Sequence, residues 1–259
     1  MIKIKKYDKI YGGIVSKIKK DKKQGSVTVP LILILNQKKQ SKLMSWQLYF
    51  DRIYVISLGE SERKERLIKD FREYGIKFNF WTGIKCEDGR EGIYLTLMNL
   101  FSHCLEKNMS RVAVFEDDCK FLVPPDEFNE KMDEIVRQAR MINWWQLKLG
   151  SVLIREAGPL VTPNIFQMNG SYGLHASAYT SGFMRLALSL TKELPVDVSW
   201  AKSIEPNGKC YHTYPLLASQ YDGNSSIDKC YRNWDEHIQG AFKKHTSKIN
   251  LLNSGNVLP

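Results

Sequence analysis

Residues 112–115, Val-Ala-Val-Phe, are four apolar side chains in a row that run straight into Glu116, Asp117 and Asp118. A continuous apolar run of this length suits a strand covered on both faces, as in the middle of a parallel sheet. The chain must therefore supply layers on both sides of that strand. Ligands of open α/β sheets bind just beyond the carboxyl ends of the strands, which is where the three acids stand. If extended geometry persists through them, Glu116 and Asp118 point one way and Asp117 the other. Such a Glu-x-Asp pair suits a hard divalent cation, Mn2+ or Mg2+, held by one or two carboxylates and completed by substrate phosphates. An acidic turn that caps the next element is the competing reading of the bare tripeptide.

The flanking sequence alternates strand and helix. Residues 52–58 (RIYVISL) predict a first strand, and Ser61 is placed to cap a helix that Gly75 stops after Tyr74. Leu67, Ile68, Phe71 and Tyr74 form its core face. Arg63 and Arg66 lie in its early turns, and Arg66 reads as a solvated charge. Residues 77–82 predict a second strand and residues 93–107 a second helix. In that helix Leu97, Leu100, Phe101, Cys104 and Leu105 form the apolar stripe, while Thr96, Asn99 and His103 share a polar face. After the acidic strand, Pro124-Pro125-Asp126 starts a helix with the stripe Phe128, Met132, Ile135, Val136 and Ala139, and residues 144–149 predict another strand. This alternation predicts an α/β fold, a Rossmann-like and mostly parallel sheet flanked by helices.

The second half is less regular. Residues 158–168 read as loop or short strands, and Gly170–Gly173 as a turn. A strand over 174–180, a helix from Ser181, a late strand over 209–217 and a short helix over 234–245 follow. Asp197 stands between Val196 and Val198, just after Pro195. A carboxylate among apolar neighbours needs a partner if buried. It is either a candidate proton acceptor or the cap of a short helix.

Charge divides the chain in two. The net charge is +10. Residues 1–45 hold twelve Lys and two Asp, so the arm carries the whole excess, and the remaining 26 basic and 26 acidic residues cancel. Residues 1–46 therefore read as a lysine-rich extension and linker, and 47–259 as the folded domain. The neutral domain argues against nucleic acid as a partner. The arm is suited to an anionic membrane surface or is simply solvated. Its apolar run at 27–35 is too short to span a bilayer, which fits a cytoplasmic protein at most peripheral to a membrane. The five cysteines are odd in number and widely spaced, which indicates neither a zinc cluster nor a disulfide framework.

Five motifs now stand in order. They are Tyr54-Val-Ile-Ser-Leu58 with Ser61-Glu-Arg63, Ser102-His103, Val114-Phe-Glu-Asp-Asp118, Gly173-Leu-His-Ala-Ser-Ala-Tyr179 and Pro195-Val-Asp197. Together they resemble the family 25 glycosyltransferases, which include bacterial lipooligosaccharide galactosyltransferases and the related collagen galactosyltransferases. The resemblance covers about residues 52–228. Ser57 stands where that family commonly has Asn, and the lysine arm lies outside its pattern.

The resemblance implies an A-type glycosyltransferase fold and an inverting, metal-dependent transfer of galactose from UDP-galactose to a saccharide or glycoconjugate such as lipopolysaccharide. In this reading Glu116 and Asp118 hold the metal, Asp197 is the base that activates the acceptor hydroxyl, and Asp117 orients the site or a sugar hydroxyl. Ser57 and Arg63 lie near the nucleotide, and His103 and His175 support the site. The alternatives are a non-catalytic sugar- or nucleotide-binding relative and a phosphoryl transferase. Against the latter, the chain has neither a Gly-x4-Gly-Lys-Ser/Thr loop nor a Gly-x-Gly-x-x-Gly turn.

Overall fold

The computed structural model describes residues 45–59, 62–224 and 231–232. Expectations for the lysine arm, the Ser61 cap and the helix over 234–245 lie outside these residues. Trp46, Tyr49 and Phe50, near the start of the described residues, belong to the core. Trp46, the last residue of the expected linker, is fully buried and donates from Nε1 to Asn129 Oδ1 at 2.9 Å.

Among the described residues, an eight-stranded sheet is assembled from both halves of the chain. Its strands are β1 (Arg52–Ser57), β2 (Asn79–Thr82), β3 (Arg111–Glu116), β5 (Gln146–Lys148), β6 (Leu153–Thr162), β7 (Ile165–Tyr172), β8 (Ala176–Thr180) and β9 (Cys210–Thr213). The order is β2-β1-β3-β8-β5-β9-β7-β6. Six strands run one way, and β8 and β7 run against them. The expected α/β class with a mostly parallel sheet is what the chain adopts. A separate two-stranded ribbon pairs β4 (Cys119–Phe121) with β10 (Ala218–Gln220).

The alternation of side chains along each strand divides the core in two. Ile53, Val55, Ala113 and Phe115 face one cluster, with Leu67 and Phe71 of α1 (Glu62–Glu73) and the Phe128, Met132 and Ile135 stripe of α3 (Pro125–Ala139). Tyr54, Ile56, Val112 and Val114 face the other. There they meet Leu97, Leu100 and Phe101 of α2 (Gly89–Glu106), Phe183 of α4 (Ser181–Ser189) and Trp200 of α5 (Val196–Ser203). The apolar run 112–115 is thus buried on both faces, as its composition requires. Replacing one of its large members, Phe115, by Ala is the kind of core truncation that costs about 3–5 kcal/mol.

Three expectations change. The second helix begins at Gly89, four residues early, because Asp88 caps it by accepting from the Arg90 N–H. Gly92 lies inside this helix, where a Cβ would come within 2.6 Å of the Ile84 carbonyl oxygen. Residues 158–168 are the tip of a long antiparallel hairpin formed by β6 and β7, and the expected turn at 170–173 starts within β7. Gly170, at φ +78°, and Gly173, at φ +90°, leave the extended region there.

Candidate active site

Strand β3 stops at Glu116, and Asp117 and Asp118 form a turn into β4. Alternation therefore ends at Glu116, and the three carboxylates line one cavity of about 550 Å³ instead of dividing between two sides. Its size is typical of small-molecule sites. It opens beyond the carboxyl ends of β1 and β3, whose registers bring Ile56 beside Glu116. Ser57, Arg63 and Asp197 also line it, while Ile84, Ile93 and Leu174 supply apolar wall.

Each acid is held differently. The Ser57 hydroxyl donates to Asp117 Oδ2 at 2.8 Å, tying the ends of two parallel strands. Asp118 Oδ2 lies 3.8 Å from an Arg63 guanidinium nitrogen and accepts from Gln220 Nε2 at 3.3 Å. Asp118 Oδ1 is buried with no hydrogen-bond partner. The backbone N–H of Glu116 donates to the His175 carbonyl at 3.0 Å, while its side chain opens to the cavity.

Concentrated negative charge follows from this packing. Burial, then the Asp118, Asp117 and Asp197 carboxylates, push Glu116 well above the usual carboxylate range, with Arg63 opposing. Burial and then Asp117 raise Asp118 to about 6, against the Arg63 charge and the Gln220 hydrogen bond. Like charges crowded into a low-dielectric site favour whatever neutralises them.

Asp197 sits in the first turn of α5. Its Oδ2 accepts from the Gly173 N–H and its Oδ1 from the Val198 N–H, both at 2.9 Å. Pro195 is the N-cap of α5, so Asp197 is not its cap; it lies one residue inside the helix, takes one first-turn N–H, and lines the cavity as well. Gly173 is needed for this contact. Besides its positive φ, a Cβ there would stand 2.6 Å from Val152 Cγ2.

The two histidines do not join the cavity. The His103 ring packs on Trp81, 5.0 Å between centroids. The His175 ring is fully buried, and a Cβ at Gly150 would collide with its Nε2 and with Ala218 O. Burial first, then Lys148 and His212, lower His175 to about 3, so it is neutral. Its contribution is the backbone carbonyl beneath Glu116. Arg66 is not a solvated charge either, since its guanidinium carbon lies 3.6 Å from the Tyr221 ring centroid.

Sequence reasoning missed Gln220 and Tyr221, and placed Thr96 on a polar helix face without giving it a role in the site. Thr96 accepts from the Ile84 N–H at 2.8 Å and lines the cavity. Gln220 and Tyr221 arrive through the pairing of β10 with β4, and Tyr221 N–H donates to the Asp118 carbonyl at 2.8 Å. No local pattern signals a contact about a hundred residues away.

The residues present fit a hard cation of the kind completed by substrate. Asp118 Oδ1 is a buried carboxylate oxygen with no hydrogen-bond partner, and Glu116 lines the same wall. No group of three or more His, Cys, Asp or Glu side chains among the described residues is arranged to hold a metal alone. Two carboxylates with substrate phosphates form a known type of site.

No family model matches the chain and no curated protein matches it. Similar solved structures include A197 from STIV, at 12% identity and a TM-score of 0.42, covering 69% of this chain and 91% of that one. Apo UDP-glucose pyrophosphorylase is similar at 11% and 0.41, covering 74% and 82%. A glycosyltransferase involved in the glycosylation of the major capsid of PBCV-1 is similar at 11% and 0.38, covering 73% and 99%. At these values what the site does rests on its own residues. No helix among the described residues is long and apolar enough to cross a membrane.

Proposed function

We propose that the chain is an inverting glycosyltransferase that moves galactose from UDP-galactose to a saccharide or glycoconjugate acceptor, with Mn2+ or Mg2+ at the acidic turn. The observation that carries this reading is the cavity at the end of β3, with Asp118 Oδ1 buried and unpartnered in its wall. The five motifs of the family 25 glycosyltransferases support the choice of reaction.

Glu116 and Asp118 hold the cation, which supplies Lewis-acid neutralisation of the charge that grows on a departing nucleoside diphosphate. Arg63, across the same wall, adds a second positive charge for the phosphates. Asp117 is fixed by Ser57 and offers its remaining oxygen to a sugar hydroxyl. Asp197 receives the acceptor proton. Each of its oxygens takes one N–H and keeps a further lone pair, so the two backbone bonds aim the carboxylate without exhausting it. The Leu174 and Ile84 walls restrict water around an oxocarbenium-like centre.

A second reading is binding without transfer, and the engagement of both Asp197 oxygens by backbone favours it. A panel of UDP-sugars, incubated with and without Mn2+ and then with candidate acceptors, separates the two. Metal-dependent donor hydrolysis or transfer supports the enzyme. Donor binding with no turnover under any condition supports the binding module.

A further inference from the structure

Gln220 ends β10 and is nine-tenths buried in the wall of the acidic cavity. Its amide orientation is fixed by chemistry. Only the NH2 end can donate to a carboxylate, and Nε2 lies 3.3 Å from Asp118 Oδ2. The carbonyl end, Oε1, is left to another partner, and it is buried with no hydrogen bond. Asp118 Oδ1 is buried and unpartnered in the same way. Two buried acceptor oxygens that lack a donor, on hydrogen-bonded neighbours whose side chains line one cavity, are costly unless something positive or a water meets them. Glu116 adds a third oxygen-bearing side chain to that wall.

We infer that Gln220 is a cation ligand, its amide Oε1 joining Asp118 Oδ1 and the Glu116 carboxylate to form an all-oxygen site for a hard divalent ion. Amide and carboxylate oxygens are the donors such ions take. One neutral ligand among acids also limits the charge crowded there. The inference rests on the cation reading proposed above and extends it to a residue on the last strand of the ribbon. The same Nε2 contact keeps Asp118 aligned, so ligand and aligner are two ends of one amide.

Binding of Mn2+ alone, followed by loss of the free-ion electron paramagnetic resonance signal, tests this without turnover. Gln220→Leu should weaken Mn2+ binding at least tenfold with unchanged thermal unfolding in chelator. Gln220→Glu keeps an oxygen and loses the N–H donor, and should bind Mn2+ at least as tightly as the wild type. A pure aligner gives the opposite sign, with Gln220→Glu as weak as Gln220→Leu, and that result overturns the inference. It is overturned as well if Gln220→Leu binds Mn2+ like the wild type while Asp118→Asn does not. The cation reading itself survives that outcome. Wild-type protein that binds Mn2+ neither alone nor together with UDP overturns both.

Discussion

Among the described residues, the buried polar groups around Glu205 and those at the acidic turn are built by opposite rules. Around Glu205, just past α5, both carboxylate oxygens are engaged. Oε1 accepts from the Ser171 hydroxyl at 2.6 Å and Oε2 from the Ser171 N–H at 2.8 Å. The Lys148 ammonium stands 3.7 Å from Oε1 and donates to the Ser171 carbonyl at 3.1 Å, with both charged side chains 1% exposed. At the acidic turn, carboxylates face carboxylates, the described guanidinium lies at 3.8 Å, and acceptor oxygens lack donors. A saturated network fixes strands in place. An unsaturated one keeps capacity for a ligand, and the fold tolerates it because the surrounding strands are well packed.

The largest effect expected from breaking this contrast is chemical. Asp118→Asn should lower the transfer rate by about 10²–10³-fold, the scale seen when one electrostatic stabiliser is removed. Its chelator-treated unfolding midpoint at pH 7 should not fall. A drop in stability with activity retained would put Asp118 on the structural side of the comparison.

At the other cluster the effect should be on folding alone. Lys148→Met strands the Glu205 charge and should cost about 3–5 kcal/mol in urea unfolding. Adding Glu205→Leu should recover most of that loss, because a buried pair replaced by apolar groups is often near neutral. Failure of the double variant to recover would mean that Ser171 depends on Glu205 for more than charge balance.

Gly173→Ala probes the joint between hairpin and site. Positive φ and the approach to Val152 predict about 1–3 kcal/mol of destabilisation. Since the Gly173 N–H holds Asp197, the turnover rate should fall more than donor affinity does. Equal loss of both would argue that Asp197 serves the turn and not the reaction.

The smallest effect is a pH slope. Asp118 is raised to about 6 in the fold from 3.8. Between those values the folded state holds the extra proton, so this group adds stability as pH falls from 6 toward 4. Asp118→Asn removes the gain. Without divalent cation, the variant should lose ground to the wild type over that window by up to about 1.4 kcal/mol per pH unit. His175, lowered to about 3 from 6.5, acts with the opposite sign, since there the unfolded chain takes up the proton. Urea titrations at several pH values resolve the two.

What could be read in the sequence follows the range of the interactions. The 112–115 run, the α3 stripe after Pro125 and the Gly75 stop are local patterns, and each forms as the pattern implies. The acids were found because they directly follow a run that has to be buried. The Gln220 and Lys148 contacts were not legible, since antiparallel pairing across the chain places them and no spacing announces it. His103 looked chemical because its helical face is polar, yet Trp81 covers it.

One more consequence follows from the ribbon of β4 and β10. The loop that bears Asp118 is fastened by residues 102 positions downstream. During synthesis the β1–β3 half of the sheet can dock with its helices long before β10 leaves the ribosome. A nascent chain in that interval has the acids but not the brace that aims them. On the proposed reading, competence for ligand therefore arrives late, when the returning strand zips along residues 119–121.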